Sequence, residues 1–269
     1  MVDTASPLLA AYDVQLRRHV PVAPPPGEVH ELLGPVLRVS GRHEGFIETG
    51  PDVGVHGDAL DALIAEHRDF FAARGEPVEW KTRSHDAPAD LPDRLVAAGF
   101  VAGAPETVMV APVQALVGAD GTAAGLPDGV SIRQVVELAD FGRITALQAE
   151  VWGADHGPTA REMQAEAAAD PAHVLVFTAE AGGEVVSAAR LVILPGTDFA
   201  GLWGGSTLAA WRGRGLYRAL VAARAEVAAA RGVKYLQVDA SADSAPILAR
   251  LGFIALTTTT PYQWSPPRR

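Results

Sequence analysis

The chain has 269 residues, of which 48% are hydrophobic and 20% are charged, a composition typical of a folded protein with a substantial core in one or two domains. Its formal net charge of -10 argues against nucleic acid as a partner, because contacts to phosphates need a basic surface. The sequence has no cysteine, which excludes disulfides, thiolate metal sites and a cysteine nucleophile.

The sequence carries no pattern that indicates a membrane or secreted protein. It has no run of 18 apolar residues, and Asp3 precedes the first apolar run without a basic leader. The eight histidines are scattered without the spacing of a metal-binding pair. We therefore expect a cytoplasmic protein with no membrane partner and no metal site.

Apolar periodicity, glycines and prolines predict the elements of the first half. Residues 1–27 predict a short helix followed by a proline-rich linker. In chain order, the next elements are strands at 36–39 and 45–48, a helix from Asp58 to a C-cap at Gly75, a strand at 78–81, a short helix capped by Asp90 and ended by Gly99, and a strand at 107–110.

The second half follows a segment rich in alanine, glycine and aspartate at residues 112–129, which predicts a linker. In chain order, its predicted elements are a strand at 131–133, a helix up to Val151, a loop at 152–158, a helix opened by the capping box of Thr159 and Glu162, a hairpin turning at 181–183, a strand at 199–203, a helix at 218–231, a strand at 233–238, a short helix ending at Leu251 and a strand at 254–258.

The two halves share an order of elements. In both, a helix ended by glycine is followed by a strand, a short helix, a Gly-Phe pair and another strand, so that residues 94–100 align with residues 247–253. The first half has no arginine and no Gly-x-Gly where its long helix begins, at residues 54–58. We infer a partial, degenerate repeat at residues 28–111, followed by a complete domain at residues 130–269.

Residues 204–217 join the strand at 199–203 to the long helix through a glycine-rich turn. Gly213 and Gly215 let the backbone approach a ligand closely, and the N–H groups at a helix N-terminus can point at a phosphate. Three arginines, Arg212, Arg214 and Arg218, crowd this end, where the helix dipole disfavours cations. The pattern is consistent with an anion site and equally with a solvated turn.

The same residues resemble a known family. Arg212, Gly213, Arg214, Gly215, Leu216 and Tyr217 are similar to the Arg/Gln-x-x-Gly-x-Gly/Ala motif of the GCN5-related N-acetyltransferases (GNAT), whose loop holds the acyl-CoA pyrophosphate. The resemblance covers residues 131–264. It implies a mixed, mostly antiparallel sheet flanked by helices, preceded here by a partial GNAT-like domain, and it implies acetyl-CoA as the co-substrate.

The resemblance also assigns roles near the thioester. In the family, the end of the fourth strand pairs with the pantetheine arm and can polarise the acyl carbonyl, a role that falls on Gly205, Ser206 and Thr207. Tyr217 departs from the motif, which has glycine or alanine there, so its side chain must point away from the loop or the phosphates would sit less deeply. Its phenol is also a possible proton donor to the sulfur.

The catalytic side chains of the family are not found at their usual positions. Leu248 stands where the family often has a tyrosine acid, and Ser241 stands in place of a common asparagine. By position alone, Asp239, Ser241 and Tyr262 are candidate catalytic groups. Helix capping by Asp239 or Ser241 and a packing role for Tyr262 are the alternatives.

The loop between the first two helices of the family borders the acceptor site. On that basis Glu150, Trp152, Asp155 and His156 are candidates for acceptor binding, with a polar surface loop as the alternative.

The sequence thus predicts an acyl-CoA-dependent N-acetyltransferase that transfers acetyl to a primary amine of a small molecule or peptide by direct attack. The alternative is a non-catalytic acyl-CoA-binding sensor or interaction module, because the usual tyrosine is missing. We expect a monomer or a homodimer, since the internal repeat can take the place of a partner.

Overall fold

The computed structural model describes residues 5–21, 24–25, 27–41, 44–118, 126–153 and 158–267. Its helices are α1 (Ala5–Gln15), α2 (Asp58–Arg74), α3 (Leu91–Ala97), α4 (Leu138–Trp152), α5 (Ala160–Ala169), α6 (Leu216–Ala230) and α7 (Ala245–Arg250). Its strands are β1 (Val29–Leu33), β2 (Val36–Ser40), β3 (Gly45–Thr49), β4 (Val78–Arg83), β5 (Val101–Ala102), β6 (Glu106–Pro112), β7 (Val130–Val135), β8 (Val174–Ala181), β9 (Glu184–Ile193), β10 (Phe199–Thr207), β11 (Tyr235–Ala240) and β12 (Ile254–Trp264).

The order of elements agrees with the sequence prediction, with three differences. The sequence pattern does not predict β1, whose residues are exposed or half-buried, or the two-residue strand β5. It also ends the last strand at Thr258, whereas β12 continues to Trp264. Pro261 interrupts the local strand pattern, but β12 accommodates it opposite Lys81 because the pairing with β4 continues on both sides.

Contacts divide the chain into two compact units. The first contains Met1–Met109, Asp239–Leu248 and Ile254–Arg269, and the second contains Val110–Val238 and Ala249–Phe253. The predicted domains are continuous stretches of sequence, whereas these units are sets of contacts that divide β6, β11 and α7. The predicted limits at 28–111 and 130–269 therefore remain a prediction about the repeat.

The first unit builds its sheet in the order β1-β2-β3-β4-β12, with β5 also paired to β12. The β3–β4 pair is parallel, and the other pairs with known register are antiparallel. α2 covers one face with Leu60, Ile64 and Phe71, which are buried together with Trp80 of β4. Gly75 ends α2 in the left-handed conformation, as predicted.

The second unit builds its sheet in the order β11-β10-β9-β8-β7, in which β10–β11 is the parallel pair. Phe141 and Ile144 of α4 and Met163 of α5 are buried against Val176 of the sheet. The predicted capping box at the start of α5 is confirmed, since Thr159 and Glu162 bond each other's backbone N–H groups. Both units are mixed and mostly antiparallel, which confirms the predicted fold class.

β12, which follows Gly252 and Phe253, pairs outside the predicted second repeat. It is antiparallel to β4, which lies in the predicted first repeat. The end of β6, from Val110, belongs to the second unit, where the Val113 N–H donates to the Lys234 carbonyl at 2.9 Å. The last strand of the predicted second repeat is thus part of the first unit's sheet.

Each helix in the described parts of the chain is too short or too polar to span a bilayer.

Candidate functional site

The free edge of β10 is the first component of the site. β10 is paired with β11 at residues 199–201, so among the described pairs its edge on that side is without a strand partner from Leu202 to Thr207. The pairing with β9 shifts register between Trp203 and Ser206, where Gly204 has a φ of 61°. An extended ligand arm can pair with a strand edge of this kind.

Hydrogen bonds within the protein already involve the end of this β10 segment. The buried Ser187 hydroxyl donates to the Ser206 carbonyl at 2.7 Å, and it also lies 2.7 Å from the Thr207 hydroxyl. The Ser206 side chain is buried, whereas Gly205 is exposed. Of the three predicted residues, Gly205 therefore offers its backbone most freely to a ligand.

The turn into α6 is the second component. Gly213 and Gly215 have φ values of 72° and 82°, a region that favours glycine, and Gly215 is the N-cap of the helix. No side chain caps this end. Within the described chain, the backbone N–H groups of Leu216, Tyr217 and Arg218 have no acceptor. These donors are available to an anion.

Three arginines flank the turn and are not bound to carboxylates of the described chain. Arg212 donates from Nε to the Thr207 carbonyl at 3.2 Å, and the Arg214 guanidinium lies 4.8 Å from the centre of the Trp211 ring. Arg218 is exposed, and the first turn of α6 has no acidic residue. Each cation at a helix N-terminus is unfavourable by about 0.3–1 kcal/mol. A bound anion makes the same cations favourable, because they then attract its charge. The residues present therefore fit a pyrophosphate.

Tyr217 lies against the strand and not in the turn. A Cβ added to Gly205 would meet the Tyr217 ring at 3.1 Å, so the ring packs over the bulged part of β10. This direction removes the steric conflict that its bulk would create in the loop. Burial raises the pKa of the Tyr217 phenol, an effect that Arg224 partly opposes, so the phenol is protonated at neutral pH.

Arg224 is a buried cation on the same helix. It is 1% exposed and donates to the carbonyls of Leu220 at 2.9 Å and Arg190 at 3.1 Å. Burial lowers its pKa to about 10, so it remains charged at neutral pH. The sequence pattern does not single it out, because an arginine in an alanine-rich helix normally predicts an exposed position.

Asp239, a candidate base, forms an ion pair in the first unit. Lys81 Nζ donates to its carboxylate at 2.6 Å and lies 3.8 Å from Glu106. Burial lowers the pKa of Lys81, but the Asp239 carboxylate outweighs burial and leaves the pKa raised. Burial also raises the pKa of Glu79 and of Glu106. The sequence pattern did not indicate that three carboxylates, Asp239, Glu79 and Glu106, lie near Lys81.

Ser241 and Tyr262 occupy structural positions. The Ser241 hydroxyl accepts a hydrogen bond from the Ser244 N–H at 3.3 Å just before α7. Tyr262 of β12 is buried in the core of the first unit. Leu248, which stands at the family's tyrosine position, is fully buried. The geometry favours the capping and packing interpretations for Ser241 and Tyr262.

The acceptor candidates divide into three groups. Trp152, 42% exposed at the end of α4, lines a cleft with a volume of about 110 Å³ in the second unit. Glu150 is exposed and is not among the described residues that line this cleft. Asp155 and His156 lie outside the described residues.

Comparison with known proteins gives a family match in the second half of the chain and structural matches over nearly all of it. Residues 141–253 match the model of the acetyltransferase (GNAT) family. No curated protein has a significantly similar sequence.

Several solved structures resemble the whole chain. A GCN5-related N-acetyltransferase from Kribbella flavida has a TM-score of 0.66 at 17% identity, covering 100% of this chain and 98% of its own. A GCN5-related N-acetyltransferase from Sphaerobacter thermophilus has a TM-score of 0.61 at 17% identity, covering 89% of this chain and 83% of its own. A tandem GNAT protein from the clavulanic acid biosynthesis pathway, described as without AcCoA, has a TM-score of 0.61 at 15% identity, covering 99% of this chain and 96% of its own. The chain therefore has the fold of these tandem GNAT structures, and its residues 141–253 are similar to the acetyltransferase (GNAT) family.

Proposed function

We propose that the protein is an acyl-CoA-dependent N-acetyltransferase that moves acetyl from acetyl-CoA to a primary amine of a small molecule or peptide. The observation that carries this proposal is the N-terminus of α6. Two glycines in the left-handed region open it, its first N–H groups have no acceptor in the described chain, and exposed arginines surround it. That arrangement suits the pyrophosphate of CoA.

The chain's own groups have defined tasks in this reaction. Acetyl-CoA, when bound, supplies the acyl group as a thioester. Gly205 and the free edge of β10 orient the pantetheine arm, and a backbone N–H of this segment polarises the acyl carbonyl. The Tyr217 phenol, protonated and close to Gly205, donates its proton to the departing sulfur. The ammonium form of the amine first loses one proton to solvent, and the neutral nitrogen then attacks the acyl carbon. As the N–C bond forms and the C–S bond breaks, the nitrogen gives up a second proton, which restores the Tyr217 phenol through solvent, and CoA leaves as the free thiol.

The observations favour one second candidate, a non-catalytic protein that binds acyl-CoA as a sensor or interaction module. Leu248 is buried where the family often has an acid, and Lys81 already pairs with the carboxylate of Asp239. Turnover of acetyl-CoA across a panel of amines separates the two candidates, because the sensor binds acetyl-CoA and releases no free thiol.

The first experiment is the melting temperature with and without excess acetyl-CoA. A ligand at about a hundred times its Kd stabilises by roughly 2.7 kcal/mol, which is several degrees for a chain of this size. We expect the native protein to show this shift and the variant with Arg212→Ala and Arg214→Ala to lose it. The matched control is Arg161→Ala with Arg250→Ala, which removes two exposed arginines of the same unit and should keep the shift.

The absence of any shift in the folded native protein would contradict both candidates. A shift with nucleotides but not with CoA would assign the loop to another phosphorylated ligand. We further propose that the protein acts in the cytoplasm as a monomer or homodimer and that neither nucleic acid nor a membrane is its partner. The net charge of -10 supports the exclusion of nucleic acid.

A further inference from the structure

The cleft beside the bulge of β10 is mostly apolar. It lies within the second unit between α4, α5 and the strands β8 to β10, and it has a volume of about 110 Å³. Its apolar lining includes Ile144, Trp152, Met163, Val176 and Ala188. An engineered apolar cavity of about 150 Å³ holds benzene, so a partly open cleft of this size suits a group of about four to six heavy atoms.

One amide side chain faces this apolar lining. Gln148 of α4 is 8% exposed and lines the cleft, and its amide makes no hydrogen bond to another described residue. Its Nε2 would lie 3.5 Å from a Cβ placed on Gly204. A ligand in the cleft can therefore hydrogen-bond this amide in place of water.

The charges around the cleft disfavour an ionised group. Arg190, which also lines the cleft, donates from Nη1 to Glu166 at 2.9 Å, so its charge is already paired. None of the described lining residues is a carboxylate that could receive an ammonium group. The cleft therefore suits an uncharged group.

The position of the cleft connects it to the reaction. Gly204, which borders it, directly precedes Gly205 at the exposed part of β10. From this geometry we infer that the cleft binds an uncharged, apolar group of about four to six heavy atoms, whose polar end hydrogen-bonds Gln148. This inference rests on the proposed function. The group belongs either to the acyl chain of the donor or to the body of the amine.

The experiment uses the full chain and has one arm for each source. In the donor arm, the Kd is measured for CoA, acetyl-CoA and isovaleryl-CoA. Three additional buried carbons should tighten binding of isovaleryl-CoA over acetyl-CoA by roughly 10- to 60-fold. In the acceptor arm, kcat/KM with acetyl-CoA is compared for 5-aminopentan-1-ol and ethanolamine, which differ by three methylene groups and both end in a hydroxyl group, and a preference of similar size is expected if the amine occupies the cleft. A preference in either arm supports the inference and identifies the source.

Three variants and one control connect the preference to the cleft. Gln148→Leu should weaken the preferred compound about fivefold through loss of one hydrogen bond, whereas Gln134→Leu, an exposed glutamine of the same unit, should not. Trp152→Ala opens an exposed wall and should reduce the apolar preference. Gln148→Glu distinguishes the polar partner, because a carboxylate repels an acyl carbonyl and favours an amide or hydroxyl donor.

The outcomes separate this inference from the proposed function. If CoA binds but neither arm shows a preference, the inference is overturned and the proposed function stands. If CoA itself does not bind, the proposed function fails, and the cleft is tested with isobutyramide by NMR titration. Isobutyramide binding that Trp152→Ala weakens would then support the cleft, and absence of binding at millimolar concentration would overturn it.

Discussion

The helices α2 and α6 each begin at a glycine with positive φ, but the two starts differ in ψ, which is -137° at Gly57 and -2° at Gly215, and in the charge of the first helical turn. α2 follows Gly57, whose φ is 58°, and it carries Asp58 and Asp61 in its first turn. α6 follows Gly215, whose φ is 82°, and its first turn carries no acid. Asp58 and Asp61 place negative charge at the positive end of the α2 dipole, whereas arginines surround that end of α6.

The two helix N-termini therefore differ in both backbone conformation and charge. In the first unit, carboxylates of the chain already stabilise the helix N-terminus, so an external anion gains little there. In the second unit, the same position remains open to a ligand. The first unit instead uses its charges internally, as in the pair of Lys81 and Asp239.

The largest effect that we predict concerns this internal pair. Asp239→Asn removes the nearest counter-ion of the buried Lys81 ammonium and leaves it only Glu106 at 3.8 Å, so stability should fall by up to about 3 kcal/mol, seen as a melting temperature lower by up to about 6–12 °C. The double change Lys81→Met with Asp239→Leu should recover most of this loss. If the double variant regains stability but not turnover, Asp239 also acts in catalysis; unchanged stability of Asp239→Asn would show that the pair has no structural role.

Tyr217→Phe tests the assignment of chemistry to the second unit. Removal of the proton donor should lower kcat about 100-fold while the Kd for acetyl-CoA changes less than about twofold. Tyr235→Phe is the matched control, because Tyr235 is a half-buried tyrosine of the same unit that packs on Phe199. Equal kcat values for Tyr217→Phe and the native protein would remove Tyr217 from the mechanism.

Arg218→Glu makes the first turn of α6 resemble that of α2. The carboxylate should repel the pyrophosphate and raise the Kd for acetyl-CoA about tenfold, while it raises stability without ligand by up to about 1 kcal/mol. Calorimetric titration and thermal unfolding measure the two effects. Tighter binding by this variant would contradict the anion site.

The smallest effect is expected for Asp58→Asn, which removes one carboxylate from the start of α2. Stability should fall by about 0.3–1 kcal/mol at low salt, and the loss should shrink as ionic strength rises. Binding of acetyl-CoA should not change. A change in that affinity would mean that the two turns are not independent.

Local pattern was sufficient for the elements that depend on local interactions. The capping box of Thr159 and the glycine that ends α2 were predicted because the partners are a few residues apart. Asp90 is the N-cap residue of α3, as predicted, but its side chain makes no capping bond. It accepts a hydrogen bond from Arg94 Nε at 2.7 Å instead. A guanidinium four residues away is a stronger partner for a carboxylate than a backbone N–H.

The candidate site was predictable only in part, for the same reason. The glycines at 213 and 215 mark the turn directly in the sequence, because few other residues adopt their conformation. The Lys81–Asp239 pair joins residues 158 positions apart, and no local periodicity predicts such a contact. Gln148 follows Leu147 on the buried side of α4, so its polar character alone did not indicate that it faces a cleft.

The pairing of β12 with β4 bears on how the protein is made. β4 is synthesised well before its antiparallel neighbour β12, since the bonded residues Thr82 and Thr260 are 178 positions apart. Domains generally fold as they emerge, N-terminal part first. Here the first unit has to keep one edge of β4 unpaired until β12 has been synthesised, so it completes its sheet only after the strands β7 to β11 of the second unit have been made.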